Sequence, residues 1–156
     1  MKTTEEKLNV LARIAQTLNQ AGVTWAIGAS TMLYFHHIAE DFHDLDIMVD
    51  VKDALKAKEL LSEMGTLHET APKENYRTKY FFELTIDGVD IDLIGGFAIE
   101  KEGTVYDCAL KREEIDGSVT VLGQKVPMQS VRAWRRFYEL MGRTAKVELI
   151  DRAIDK

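Results

Sequence analysis

The sequence predicts an α+β fold, a mixed sheet flanked by helices with a helical C-terminal ending. Three observations predict it. Apolar residues recur at helical spacing near both ends of the chain, short apolar runs of period two fill the middle, and Asp87-Gly88 sits between two of those runs.

The elements follow in order. Leu8, Leu11, Ala12, Ile14, Ala15 and Leu18 share one helical face, and Gly22 stands where such a helix stops. Trp25 to Ile27 reads as a short buried strand, Gly28-Ala29-Ser30 as a tight turn, and Thr31 to His37 as the start of a second helix. Asp44 to Val49 alternates with period two, so Asp44 and Asp46 project to one face and Leu45 and Ile47 to the other. Val51 to Met64 is expected to be a helix with Leu55, Leu60, Leu61 and Met64 as its apolar members, Asp50 or Asp53 at its start and Gly65 at its end. Tyr80 to Ile86 and Val89 to Ile94 form a hairpin about Asp87-Gly88. Val119 to Val126, interrupted by Gly123, adds a shorter one. Ser130 opens a helical ending with Val131, Trp134, Phe137, Tyr138 and Leu140 as apolar members, divided at Gly142 from a last helix reaching Ile154.

Length and composition bound the function. A chain of 156 residues without an internal linker or repeat fits one domain, 1–156, around one core. Its formal net charge of -6 argues against holding extended nucleic acid through backbone phosphates and favours nucleotide, small-molecule or protein ligands. The lone Cys108 has no intramolecular disulfide partner and no local cationic motif to support a nucleophile, and no apolar run is of membrane-spanning length. Cytoplasmic residence is the resulting expectation.

Asp44 and Asp46 carry the chemistry. Two carboxylates on one face of an apolar strand repel each other unless something positive stands between them, and a hard divalent cation with oxygen ligands is the simplest such partner. Asp90 and Asp92, in Val89-Asp90-Ile91-Asp92-Leu93-Ile94, share a face by the same argument, so either could add a third acid. In a chain with 26 acidic residues the bland alternative is a solvated strand face.

The strand, the Gly28 turn, the helix and the Asp44-Leu45-Asp46 pair together resemble the nucleotidyltransferase superfamily related to DNA polymerase beta. The resemblance implies a nucleotidyltransferase-like sheet flanked by helices. It also implies transfer of a nucleoside monophosphate from a nucleoside triphosphate to a hydroxyl acceptor, with two Mg2+ (or Mn2+) ions held by Asp44, Asp46 and Asp92. Asp92 is preferred over Asp90 because similar small members place the acid within an apolar, acid, apolar, apolar run after an Asp-Gly turn. Gly28 and Ser30 would cradle phosphate oxygens, His43 stands where relatives often carry Ser or Thr, and Gly142-Arg143 with Lys146 is similar to a C-terminal Gly-Arg-x-x-Lys pattern of the superfamily. Arg77 and Lys79 are further cationic candidates. Two departures are evident: Gly-Ala-Ser replaces an immediate Gly-Gly or Gly-Ser, and Glu40 and Asp41 stand where relatives commonly carry Arg.

These departures support a second hypothesis, a catalytically weak binding or regulatory module that works through a protein partner or as a homo-oligomer. A metal-dependent phosphohydrolase using the same acids is a third. His36, His37 and His43 could with the acids form a zinc or iron site. Adjacent residues at a helix end diverge, however, and a His there is favourable on electrostatic grounds alone, so a structural role is preferred for His36 and His37. Trp25, Trp134 and Tyr138, with their apolar neighbours, are expected in the core.

Overall fold

The N-terminal periodicity becomes a helix because its start is satisfied on both sides. A computed structural model describes residues 2–69 and 76–154. In α1, Thr4–Gln20, the Thr3 hydroxyl accepts from the Glu6 amide and the Glu6 carboxylate accepts from the Thr3 amide, both at 3.1 Å. Gly22 adopts a left-handed φ of +71° just beyond the helix, which lets the chain turn back into the sheet. Leu11, Ile14, Ala15 and Leu18 are fully buried along the inner face.

The chain then runs through β1 (Trp25–Ile27), α2 (Ala29–Phe35), β2 (Leu45–Val49), α3 (Ala54–Ser62), β3 (Thr66–His68), β4 (Tyr80–Ile86), β5 (Val89–Gly95), β6 (Ala98–Lys101), β7 (Thr104–Asp107), β8 (Ile115–Val121), β9 (Gln124–Gln129), α4 (Val131–Leu140) and α5 (Thr144–Ile154). Seven strands form one mixed sheet in the order β3-β4-β5-β2-β1-β9-β8, with β6 and β7 a separate hairpin. Strand β2 pairs antiparallel to β1 and parallel to β5, and β1 pairs parallel to β9. Helix α1 packs against β9, β5, β8 and α3, whereas α2 packs against α4, and α4 against α5. Leu45, Ile47, Ile91 and Leu93 are wholly buried between strands and helices.

The expected hairpins are present, each turning through two consecutive left-handed residues: Asp87 and Gly88 between β4 and β5, Leu122 and Gly123 between β8 and β9. Three details differ from the sequence reading. Helix α2 starts at Ala29, two residues before Thr31, and ends at Phe35. The expected helix from Val51 is a single 3-10 turn, Val51–Asp53, capped by the Asp50 carboxylate on the Lys52 amide, followed by the shorter α3. Leu55 projects into solvent at 53% exposure instead of joining the core. Strand β3 and the β6–β7 hairpin carry little periodicity; β3 and β7 are exposed at every residue. Gly65 is required by close approach, since a Cβ there would lie 2.2 Å from the Thr85 carbonyl oxygen.

A buried lysine ties α1 to the loop before β2. Lys7 is 4% exposed, donates to the Phe42 carbonyl, reaches the Asp41 carboxylate at 3.3 Å and stands 4.8 Å from the Phe42 ring centroid. Lys7→Ala is expected to lower stability by about 1–3 kcal/mol, the penalty for a buried acceptor deprived of its donor. The measurement is the denaturant midpoint at unchanged slope; a parental midpoint would mean that Phe42 finds another donor.

Candidate active site

Strand register brings the acids together. In the parallel β2–β5 pair Asp46 stands opposite Asp92, flanked by Leu45 opposite Ile91 and Ile47 opposite Leu93. Asp44 immediately precedes β2. Thr31, fully buried on α2, fixes this strand entrance: its hydroxyl donates to the Asp44 carbonyl at 3.0 Å and accepts from the Asp46 amide at 3.1 Å. The loop just upstream is the one anchored by Lys7.

The turn before α2 is shaped by contact with α4. Gly28 donates to the Asp46 carbonyl at 3.0 Å, and its missing side chain is filled by the Trp134 indole, which a Cβ would meet at 2.6 Å. Ala29 takes a left-handed φ of +49°, a conformation that costs an L-residue with a Cβ about 1–2 kcal/mol. This is the position at which the resembled motif carries Gly or Ser, so the departure Gly-Ala-Ser is a strained version of the same turn. Ser30 follows. Gly28, not Ser30, is the N-cap of α2, and the Ser30 hydroxyl instead accepts from Lys146 at 3.3 Å.

Asp46 and Lys146 shift one another here, and Asp46 also shifts Tyr138. Burial, then the nearby Asp92 and Asp44, push the Asp46 carboxyl well above the usual carboxylate range, while Lys146 opposes that rise. Lys146 is itself shifted downward, by burial first and Arg143 second, with Asp46 pulling the other way. Burial and Asp46 together raise the Tyr138 phenol, against Arg143 and Ser30. Arg143 stands 5.8 Å from the Tyr138 ring centroid.

A cavity of about 310 Å³ opens over this group, lined by Ala29, Ser30, His43, Asp44, Asp46 and Asp92 on its polar side. Trp134, Tyr138, Met141 and Arg143 close it from the C-terminal helices, and Tyr76, Thr78, Phe81, Ile94 and Phe97 form the remaining wall.

The family model for aminoglycoside-2''-adenylyltransferase matches residues 10–154. The chain belongs to this family. A nucleotidyltransferase-like protein of Thermotoga maritima superposes with a TM-score of 0.77 at 25% identity, covering 99% of this chain and 96% of that one. The antibiotic-resistance factor ANT(2'')-Ia, solved in solution, gives 0.62 at 11% identity over 97% and 90% of the two chains. A lincomycin-bound lincosamide antibiotic adenylyltransferase gives 0.59 at 15% identity over 96% of each. No curated protein matches the chain significantly. The mixed sheet with its C-terminal helices is thus the nucleotidyltransferase-like fold that the resemblance implied.

Within this family member the anticipated residues separate into two groups. Asp44, Asp46, Asp92, Ser30, His43 and Arg143 line one cavity, Lys146 reaches it through Ser30, and Gly28 lies beneath Trp134. Asp90 does not line it: the carboxylate is exposed and accepts from Thr85 at 3.1 Å, in the β4–β5 register. Arg77 is paired with Glu100, and Lys79 lies 5.5 Å from the Tyr80 ring centroid, both outside the cavity lining. His36 and His37 are exposed at the end of α2. Cys108 is buried, and burial pushes its thiol up to about 11, which keeps it protonated. Trp134 and Tyr138 are core residues as expected, but each also presents a face to the cavity. Thr31 and Lys7 carry no sequence signal for their roles, because their partners are backbone carbonyls and amides supplied by the fold.

The donor set suits a hard cation. Every candidate ligand is a carboxylate oxygen, the ligand type taken by Mg2+ and Mn2+, and a divalent ion would offset both the burial and, after it, the like charges of Asp92 and Asp44 that raise Asp46. Among the described residues no three His, Cys, Asp or Glu side chains are grouped as a metal site as they stand; the strand pairing sets Asp46 beside Asp92.

Two expectations follow from this geometry. Ala29→Gly should raise the melting temperature by removing the left-handed strain, in contrast to the usual loss from a glycine inside a helix; a lowered melting temperature would show that Ala29 is not strained. In metal-free protein, Asp46 binds its proton more tightly folded than unfolded, so stability falls as pH rises from the ordinary carboxylate range toward the raised folded value. Asp46→Asn should therefore be more stable than the parent at neutral pH in chelator, with the gap narrowing at about pH 4. A pH-independent gap in thermal unfolding would refute that origin.

Proposed function

We propose that the protein is a divalent-cation-dependent nucleotidyltransferase that moves a nucleoside monophosphate from a nucleoside triphosphate to the hydroxyl of a small-molecule acceptor in the cytoplasm. The observation that carries this reading is the in-register Asp46–Asp92 pair, facing one cavity with Asp44, Ser30 and Arg143, in a chain of an adenylyltransferase family. The neighbours add weight: one ANT(2'')-Ia structure is a complex with adenylyl-2''-tobramycin, in a fold superposing at a TM-score of 0.57, 10% identity, over 96% of this chain and 98% of that one.

Asp44, Asp46 and Asp92 would hold Mg2+ or Mn2+, which when bound neutralises triphosphate charge and lowers the pKa of the acceptor hydroxyl. Ser30, Lys146 and Arg143 supply a hydroxyl and two cations for phosphate oxygens, and His43 stands at the cavity edge for the same anion. Asp92 accepts the acceptor's proton as the hydroxyl oxygen bonds to the α-phosphorus and the bond to pyrophosphate breaks. Asp90, bound to Thr85 outside the cavity, is a poorer candidate for that step. Positioning and electrostatics do most of the work, as in phosphoryl transfer generally.

Ser30 separates this reading from a non-catalytic module, which the strained Ala29 and the acidic Glu40 and Asp41 favour. Since Ser30 is not a helix cap, Ser30→Ala should leave thermal unfolding near parental while weakening Mg2+-nucleotide binding by roughly 1–3 kcal/mol, the scale for a bond to a charged group. Calorimetry with nucleoside triphosphate, with and without Mg2+, measures this. Absence of Mg2+-dependent nucleotide binding in the parent protein would instead leave the binding module as the better account. Asp92→Asn should abolish transfer and Asp90→Asn should reduce it less; parental activity in Asp92→Asn would remove that acid from the reaction.

A further inference from the structure

The reaction as described leaves one polar group of the cavity unused, the phenol of Tyr138. This residue is 3% exposed and lines the cavity together with Ser30, Asp46 and Arg143. Two contacts fix its ring: the Trp134 ring centroid lies 5.5 Å away, and the Arg143 guanidinium stands 5.8 Å from the Tyr138 centroid. The phenol is acted on by the Asp46 carboxylate, the Arg143 guanidinium and the Ser30 hydroxyl, the last through a side-chain hydrogen bond. Burial, and after it Asp46, push the phenol up, so it keeps its proton. Ser30 is already engaged on its other side, since Lys146, which can only donate, reaches its oxygen at 3.3 Å. Ser30 and Tyr138 therefore hold two hydroxyl protons and share one hydrogen bond. One O–H is left over. A buried donor without an acceptor is costly, and the cavity is the space from which a bound ligand would supply one.

We propose that the Tyr138 hydroxyl donates to a non-bridging oxygen of the nucleotide's α-phosphate, which makes Tyr138 a further catalytic residue of the reaction. The inference rests on the transferase reading, in which the attacked phosphorus lies beside Asp92 and its strand neighbour Asp46. Tyr138 stands between Asp46 on one side and Ser30 and Arg143 on the other, so the phosphate oxygen nearest to it belongs to that phosphorus. Lys146 and Arg143 are then left for the departing pyrophosphate. As the acceptor oxygen bonds to phosphorus, the charge on the non-bridging oxygens needs a donor that is already in place, and the ring contacts to Trp134 and Arg143 hold this one there. Neutrality is the useful property: unlike a further cation beside Asp46, a phenol does not compete with a divalent ion for the carboxylates.

The test is calorimetric binding to the full chain, with Mg2+ and without any acceptor, of ATP and of the two α-thio diastereomers of ATP, in which sulfur replaces one or the other non-bridging α-oxygen. Sulfur is the weaker acceptor. Tyr138→Phe keeps the ring and removes only the hydroxyl; it should bind ATP about tenfold more weakly than the parent. The parent should also prefer one diastereomer, and that preference should shrink severalfold in Tyr138→Phe, the coupling expected of two groups in contact. A residue that merely packs would alter thermal unfolding and leave the preference intact. Tyr138→Leu, which also lacks the hydroxyl, provides the same reading if the phenylalanine variant does not fold. Parental ATP affinity in the variant, an undiminished preference, or no preference in the parent would each overturn the proposal and leave the transferase reading standing. Absence of Mg2+-dependent ATP binding in the parent would instead sink the transferase reading, and this inference with it.

Discussion

The parallel pairing of β2 with β5 is the constraint on which the rest depends. It sets Asp46 beside Asp92 on one side of two strands whose other residues, Leu45, Ile47, Ile91 and Leu93, are fully buried. A slip of one residue would turn the acids into the core and the aliphatic side chains into the cavity. The hydrophobic pattern that stabilises the sheet therefore also fixes the carboxylates, even though their juxtaposition is unfavourable without a cation. Stability of the sheet is what holds the site in its charged arrangement.

Supports around Asp46 act on its backbone and on the loop before it. Thr31 clamps the Asp44 carbonyl and the Asp46 amide, Gly28 donates to the Asp46 carbonyl, and Lys7 holds the preceding loop through Phe42. The Asp46 carboxyl group is thereby positioned by its main chain, while Lys146 provides only partial electrostatic relief. Such an arrangement keeps the oxygens available to a ligand, because a side chain fully paired within the protein would first have to break those bonds.

The sequence displayed those parts that are governed by local periodicity and turn chemistry. The α1 stripe, the Asp87-Gly88 hairpin, the Ser130 cap and the carboxylate alternation of β2 each depend on neighbours a few residues away. The choice between Asp90 and Asp92 was different, because both lie on one strand face; the partner of β5 is what distinguishes them, and strand order is a long-range property. Strands β3 and β7 carry no such pattern, since exposed edge strands need no apolar alternation. Trp134 was legible as core, but its second role was not, because the contact with Gly28 spans more than a hundred residues of sequence.

That contact shows how the C-terminal helices complete the site. Trp134 is anchored by its indole nitrogen to the buried Gln129 at 3.0 Å, at the end of β9, and so carries the position of the sheet into α4. Its ring occupies the space above Gly28 where a side chain would otherwise stand, and its neighbours Phe97 and Tyr138 extend the same surface in two directions. Toward Tyr138 the surface meets Ser30, Arg143 and the buried charge of Asp46; toward Phe97 and Tyr76 it is apolar. One aromatic layer, locked to the strand that neighbours β1, thus gives the cavity a charged end and a greasy end at a fixed distance from each other.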